Sequence, residues 1–179
     1  MRGAPELPVP PPIAKGSALP TTLRGNTLIS KSFEKIKVGD VDTTEPRTVT
    51  EKSVREFAEL TWDRHPLHLD PAYAAQTRFG GQIAHGALML SLLLGLVKLD
   101  PRYVQCFYGL DDLKFRVPTY FGDIVRASSE VTEVRPRPDG QTAVVTCRGE
   151  LKNQDDTTVL TGLFSFLVGG ESTPASQAN

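Results

Sequence analysis

Apolar residues recur along the chain at two different periods, and the change of period divides it. In the C-terminal half Ala143, Val145, Cys147 and Leu151 alternate with Thr142, Thr146, Arg148 and Glu150. A period near two marks a strand with one buried face. Segments 104–108, 113–117, 123–134, 142–151 and 158–168 all read as strands. Asp111-Asp112 and the stretches 118–122, 136–140 and 153–156 separate them with turn chemistry. Connections this short imply antiparallel neighbours. Upstream, 32–41 reads as a strand or extended segment and 47–51 as a second, shorter strand.

Between these regions the period lengthens. Val54, Phe57, Ala58 and Thr61 share one helical face, with Ser53 as the expected cap and Glu56 closing a capping box. That helix must stop before Pro66, because proline disfavours helical geometry at His65. Asp70 followed by Pro71 is a helix start, a carboxylate cap with proline at the first helical position. The helix it opens is short, 72–76, and Gly80-Gly81 breaks it. A longer helix over 84–98 is apolar nearly all round, so something must wrap it. The pattern therefore predicts an α+β fold: one domain in which a long, apolar central helix is wrapped by a curved antiparallel sheet. Such a sheet exposes an edge strand, and edges invite pairing, so a homodimer is expected.

Composition trims this picture. A length of 179 residues suits one domain with tails. The expected division is a disordered proline-rich arm over 1–28, a folded domain over 29–169 and a disordered polar tail over 170–179. The formal net charge of −1 gives no electrostatic case for nucleic acid or an anionic membrane surface. Cys106 and Cys147 fall in expected strands without metal-type spacing and read as reduced core thiols. Residues 1–12 have no apolar stretch of the signal-peptide kind. The longest apolar run falls short of the ~18 residues that span a bilayer. A soluble, cytoplasmic protein is expected.

The candidate chemistry is concentrated in 61–96, which holds all three histidines, His65, His68 and His85. Asp63 and His68 share no face in either a helix or a strand, so only a folded loop can bring them together. A carboxylate and an imidazole meeting beside an apolar helix make an acid–base pair. If the long helix begins near Ala84, the Gly86 amide lacks an internal partner and is free to bind an oxyanion. Glycine there also lets a substrate carbonyl approach the backbone. These parts suit the addition of water to an α,β-unsaturated thioester, or its removal.

The segment from Phe57 to Gly86, with Asp-Arg-His-Pro-Leu-His-Leu-Asp-Pro-Ala-Tyr-Ala at 63–74, Phe79-Gly80 and Ile83-Ala84-His85-Gly86, resembles the MaoC-like, (R)-specific enoyl-CoA hydratase family. The later stretch 113–125 is similar to that family's strand–loop–strand, and the resemblance covers about 32–168. It implies a single hot-dog domain, usually dimeric. By that resemblance Asp63 and His68 are the catalytic pair that holds the water adding to C3, Asp63 exchanges the proton at C2, and the Gly86 amide receives the thioester oxygen. It implies no metal or redox cofactor, with CoA or an acyl carrier protein as the substrate's carrier. Two departures stand beside the pair: Trp62 where the family most often has glycine, and His65 where it has an asparagine that helps order the loop. A bulky indole there is expected to reshape the acyl pocket.

Bland readings stand beside several of these. A loop-ordering hydrogen bond competes with chemistry for His65, and packing at the helix start competes with substrate contact for His85. Ser91, a turn past Gly86, is a candidate for the site, against the usual hydroxyl bonded to its own helix backbone. Lys114, Arg116 and Arg126 are candidates for a carrier's phosphates, against ordinary solvated strand-face charges. His65-x-x-His68-x-Asp70 has a metal-like spacing, but the acid–base reading is preferred over a metal. An acyl-thioesterase and a non-catalytic acyl-binding subunit remain the competing functions. Free thiol would mark the first, and the retained Asp63 and His68 argue against the second.

Overall fold

The structure, a computed structural model, describes residues 29–97 and 99–171. The expected arm over 1–28 and most of the expected tail lie outside the described residues. A 3-10 turn at Phe33–Lys35 leads to two short strands, β1 (Val41–Thr43) and β2 (Arg47–Thr48). Three helices follow, α1 (Glu51–Thr61), α2 (Pro66–Leu69) and α3 (Pro71–Ala75), then α4 (Gly86–Leu96). Four long strands complete the domain: β3 (Val104–Phe115), β4 (Ile124–Pro136), β5 (Thr142–Lys152) and β6 (Thr158–Gly169). Every paired strand is antiparallel, in the order β1-β4-β5-β6-β3, with β2 also on β4. This is the expected α+β arrangement.

Alternation explains the core. β5 buries Ala143, Val145, Cys147 and Leu151, and β6 adds Leu160, Phe164, Phe166 and Val168. Leu88, Met89, Leu93 and Val97 of the α4 region join the same cluster. A Cβ at Gly149 would stand 2.7 Å from the Phe164 ring and 3.2 Å from Leu93, so this glycine lets helix and sheet close on each other. The sheet does not wrap α4 completely. Ala87, Ser91 and Gly95, one stripe at helical spacing, are exposed.

Several expectations are corrected. The segment expected as a strand over 32–41 carries a 3-10 turn and becomes strand only at Val41, because Phe33 and Ile36 fold back into the core. The two strands expected at 104–108 and 113–117 are one. Asp111-Asp112 makes a bulge rather than a turn: Asp112 has φ 50° and the register slips between Asp111 and Lys114. The capping box of α1 sits three residues earlier than expected. Thr50 is the cap and Ser53 its partner, with the Ser53 amide donating to Thr50 Oγ1 (3.1 Å) and the Thr50 amide to Ser53 Oγ (3.2 Å). Helix α4 starts at Gly86 rather than Ala84, because His85 is still extended (φ −61°, ψ 134°) and the residues ahead of it pair with the 119–120 segment, Ile83 in a bridge to Tyr120 and the Ala84 amide on the Thr119 carbonyl at 2.8 Å. Cys106 is exposed on edge strand β3, not a core thiol, whereas burial pushes the Cys147 thiol up to about 12. No helix of the described residues is long and apolar enough to cross a membrane.

Candidate active site

The loop between α1 and α3 is shaped by discrete polar contacts. Trp62 ends α1 in the left-handed conformation, φ 64° and ψ 11°. Glycine adopts this geometry without a Cβ penalty, which explains its frequency at this position. The Trp62 indole is 83% exposed and outside the cavity described below, so the expected reshaping of the acyl pocket does not match its placement. His65 caps α2, its Nδ1 accepting from the Leu67 amide at 3.2 Å. An asparagine cap performs the same task, so the histidine preserves the loop. Asp70 Oδ1 accepts from the Ala72 and Tyr73 amides (2.8 and 3.1 Å), the cap expected from Asp70-Pro71.

These contacts bring the candidate pair together. A carboxylate oxygen of Asp63 and a ring nitrogen from each of His68 and His85 lie within 4.8 Å of one another. His68 Nδ1 donates to the Ile83 carbonyl at 2.7 Å, which leaves Nε2 as the acceptor facing away from that bond. Its ring is half-buried. Burial lowers the affinity of His68 for a proton, outweighing the opposite pull of the Ile83 carbonyl, with His85 adding to the lowering. The ring is therefore held as a neutral base near pH 7. Gln82 Nε2 donates to the His68 carbonyl at 2.9 Å, and Tyr120 Oη to the Phe79 carbonyl at 2.9 Å. Both tie the segment ahead of α4 to its surroundings.

The first hydrogen bond of α4 runs from the Met89 amide to the His85 carbonyl (3.2 Å), so the Gly86 amide precedes the helical ladder. A Cβ at Gly86 would lie 2.9 Å from Cε1 of Phe115, so no larger residue fits without moving that ring. His68, Gly86, Met89 and Phe115 line one cavity of about 310 Å³, with Arg78 and Arg116 also on its wall. Asp63 is exposed in the single chain rather than enclosed. Ser91 lies outside the cavity, its hydroxyl donating to the Ala87 carbonyl at 2.9 Å. His65 and Asp70 are spent on caps, and Lys114 pairs with Asp112 at 2.6 Å. Arg126 pairs with Asp156. Among the described residues Asp63, His68 and His85 are the group whose donor atoms converge closely enough to grip a cation.

A curved antiparallel sheet carrying one helix, with polar chemistry at that helix's amino end, defines the hot-dog class. The chain belongs to the MaoC-like domain family, whose model matches residues 33–153. A 3-hydroxybutyryl-CoA dehydratase from Methylorubrum extorquens is 37% identical over 118 residues, 64% of this chain and 73% of that protein. The monoamine oxidase regulatory protein of Archaeoglobus superposes with a TM-score of 0.75 at 41% identity, over 80% of this chain and 95% of that one. The (R)-hydratase of A. caviae superposes with a TM-score of 0.62 at 32% identity, over 74% of this chain and 97% of that one.

Proposed function

We propose that the protein is a hydro-lyase that interconverts an (R)-3-hydroxyacyl thioester with the trans-2-enoyl thioester and water. Relatives named as hydratases and dehydratases of such thioesters support this reading. The observation that carries it is the convergence of the Asp63 carboxylate and the His68 ring beside the unpaired Gly86 amide. In this reaction a water held between the two side chains hydrogen-bonds through one hydrogen to Asp63 and through the other to His68 Nε2. Its oxygen bonds to C3 as Asp63 takes the proton. The electron pair of the C2–C3 double bond moves toward the thioester oxygen, where the Gly86 amide meets the developing charge. The protonated Asp63 then delivers its proton to C2, and the carboxylate is restored. The steps use the chain's own groups, with CoA or an acyl carrier protein as part of the substrate. Arg78 and Arg116 on the cavity wall suit a carrier's phosphate.

A homodimer completes this reading. Edge strand β3 exposes Phe107, Tyr108 and Phe115, and α4 exposes its Ala87–Ser91–Gly95 stripe. These are surfaces for a second copy to cover. Light scattering on the purified chain is expected to give twice the monomer mass; a monomer would remove this element. The exposed thiol of Cys106 suits a reducing, cytoplasmic setting. The reaction itself is tested by the product formed from trans-2-enoyl-CoA. The expected product is an intact thioester heavier by one water. Free thiol instead would make the protein a thioesterase, and tight binding without turnover would make it an acyl-binding subunit.

A further inference from the structure

We propose that His85 is a positioning residue for the hydration step, holding the Asp63 backbone and the His68 ring in the register that lets both reach one water. The proposal rests on the hydro-lyase reading above. His85 is 1% exposed and stands at the N-cap of α4, yet its side chain caps nothing there. Its Nε2 donates instead to the carbonyl of Asp63 at 2.9 Å, across 22 residues of chain. That bond ties the backbone of the residue bearing the carboxylate to the start of the helix that presents the Gly86 amide.

The same ring packs on two further elements. Its centroid lies 3.8 Å from that of His68, with the planes tilted by 32°, and 5.2 Å from that of Phe57 on α1. One side chain thus joins α1, the loop carrying Asp63, α2 and α4. With the Nε2 proton spent on Asp63, Nδ1 holds a lone pair, and it is buried without a partner. A buried nitrogen left unpaired forfeits its hydration with nothing in return. A phenyl ring would fill the same volume without that cost, so packing alone does not account for an imidazole here. What only the imidazole supplies is a donor to Asp63 on a ring flat enough to stack on His68.

Two variants separate tether from filling. His85→Phe keeps a ring and has no donor; His85→Gln keeps a donor near the Nε2 position. On trans-2-enoyl-CoA, His85→Phe is expected to lose about fiftyfold in kcat with KM changed by less than about threefold, since misplaced groups slow the chemical step. His85→Gln is expected to recover to within about fivefold of wild type. Wild-type kcat in His85→Phe, a loss confined to KM, or equal losses in both variants would overturn the assignment. Amide hydrogen exchange at Arg64 and His65 supplies a readout independent of turnover. It is expected to quicken by about tenfold in His85→Phe and not in His85→Gln. Equal protection in the two variants overturns the tether. If wild-type protein leaves every enoyl thioester untouched, the reaction reading fails by itself, and the exchange result still decides whether His85 holds Asp63.

Discussion

The loop over 62–70 and the layer formed by α4 on the sheet are held in opposite ways. The loop depends on single hydrogen bonds at fixed points: His65 to the Leu67 amide, Asp70 to two amides, His68 to Ile83 and His85 to Asp63. The layer depends on volume, with Leu93, Phe164, Leu151 and Val145 almost wholly buried. Each region therefore tolerates change of a different kind. The loop accepts histidine for asparagine at 65 because it needs only an acceptor there. It accepts tryptophan for glycine at 62, at the cost of a left-handed backbone, because the indole points outward. The layer has no such latitude, as the 2.7 Å approach at Gly149 shows. Chemistry and stability are therefore expected to fail separately.

The sharpest break of this separation is His68→Ala. It is expected to lower kcat about a thousandfold, within the range of a lost acid–base group, while the melting temperature stays within a few degrees. A comparable fall in both would merge the two regions. Phe164→Ala is expected to do the reverse, costing about 3–5 kcal/mol in urea unfolding. A cost below about 1 kcal/mol would show the layer to be loosely packed. Smaller effects sit at the loop's ends. Asp70→Ala is expected to cost about 1 kcal/mol through the lost cap. Trp62→Gly is expected to gain about 1 kcal/mol by relieving the left-handed backbone, with kcat unchanged. Destabilisation by Trp62→Gly would mean that the indole packs against something.

The loop also carries a pH dependence at His68. Burial holds His68 below the ordinary imidazole value of 6.5. The unfolded chain therefore binds the proton more readily than the folded one. The stability from this group is full above 6.5 and is lost as the pH falls from there through the folded value. The acid limb of kcat/KM is likewise expected below 6.5. A limb above 6.5 would contradict a half-buried, neutral His68.

Much of this was legible in the residues. Alternation placed β5, turn chemistry bounded β4 and β6, and Asp70-Pro71 placed α3, whereas α1 ends at Trp62, short of the Pro66 that was expected to bound it. The spacing of Asp63 and His68 excluded a shared face on any regular element and left a folded loop as the one way to join them. What was hidden depended on partners distant in sequence. Ile83 pairs with Tyr120 and His85 stays extended, which delays α4 by two residues. The turn chemistry of Asp111-Asp112 is absorbed as a bulge because β6 continues past it. Ser53 and Glu56 match the usual capping pattern better than Thr50 and Ser53, so the sequence favoured the later start, whereas the Ser53 hydroxyl fills the role that glutamate usually takes. Nothing local announced that His85 would reach back to Asp63, although its place directly before Gly86 made it a candidate.

In the proposed reaction Asp63 and His68 share a single water. A double-mutant cycle tests it most directly, with kcat for trans-2-enoyl-CoA hydration measured in Asp63→Asn, His68→Ala and the double variant. Groups acting on one water lose their effect together, so the double variant is expected to be no slower than the worse single variant by more than about threefold. Losses that multiply in the double variant would mean the two side chains act independently, and would contradict the shared water.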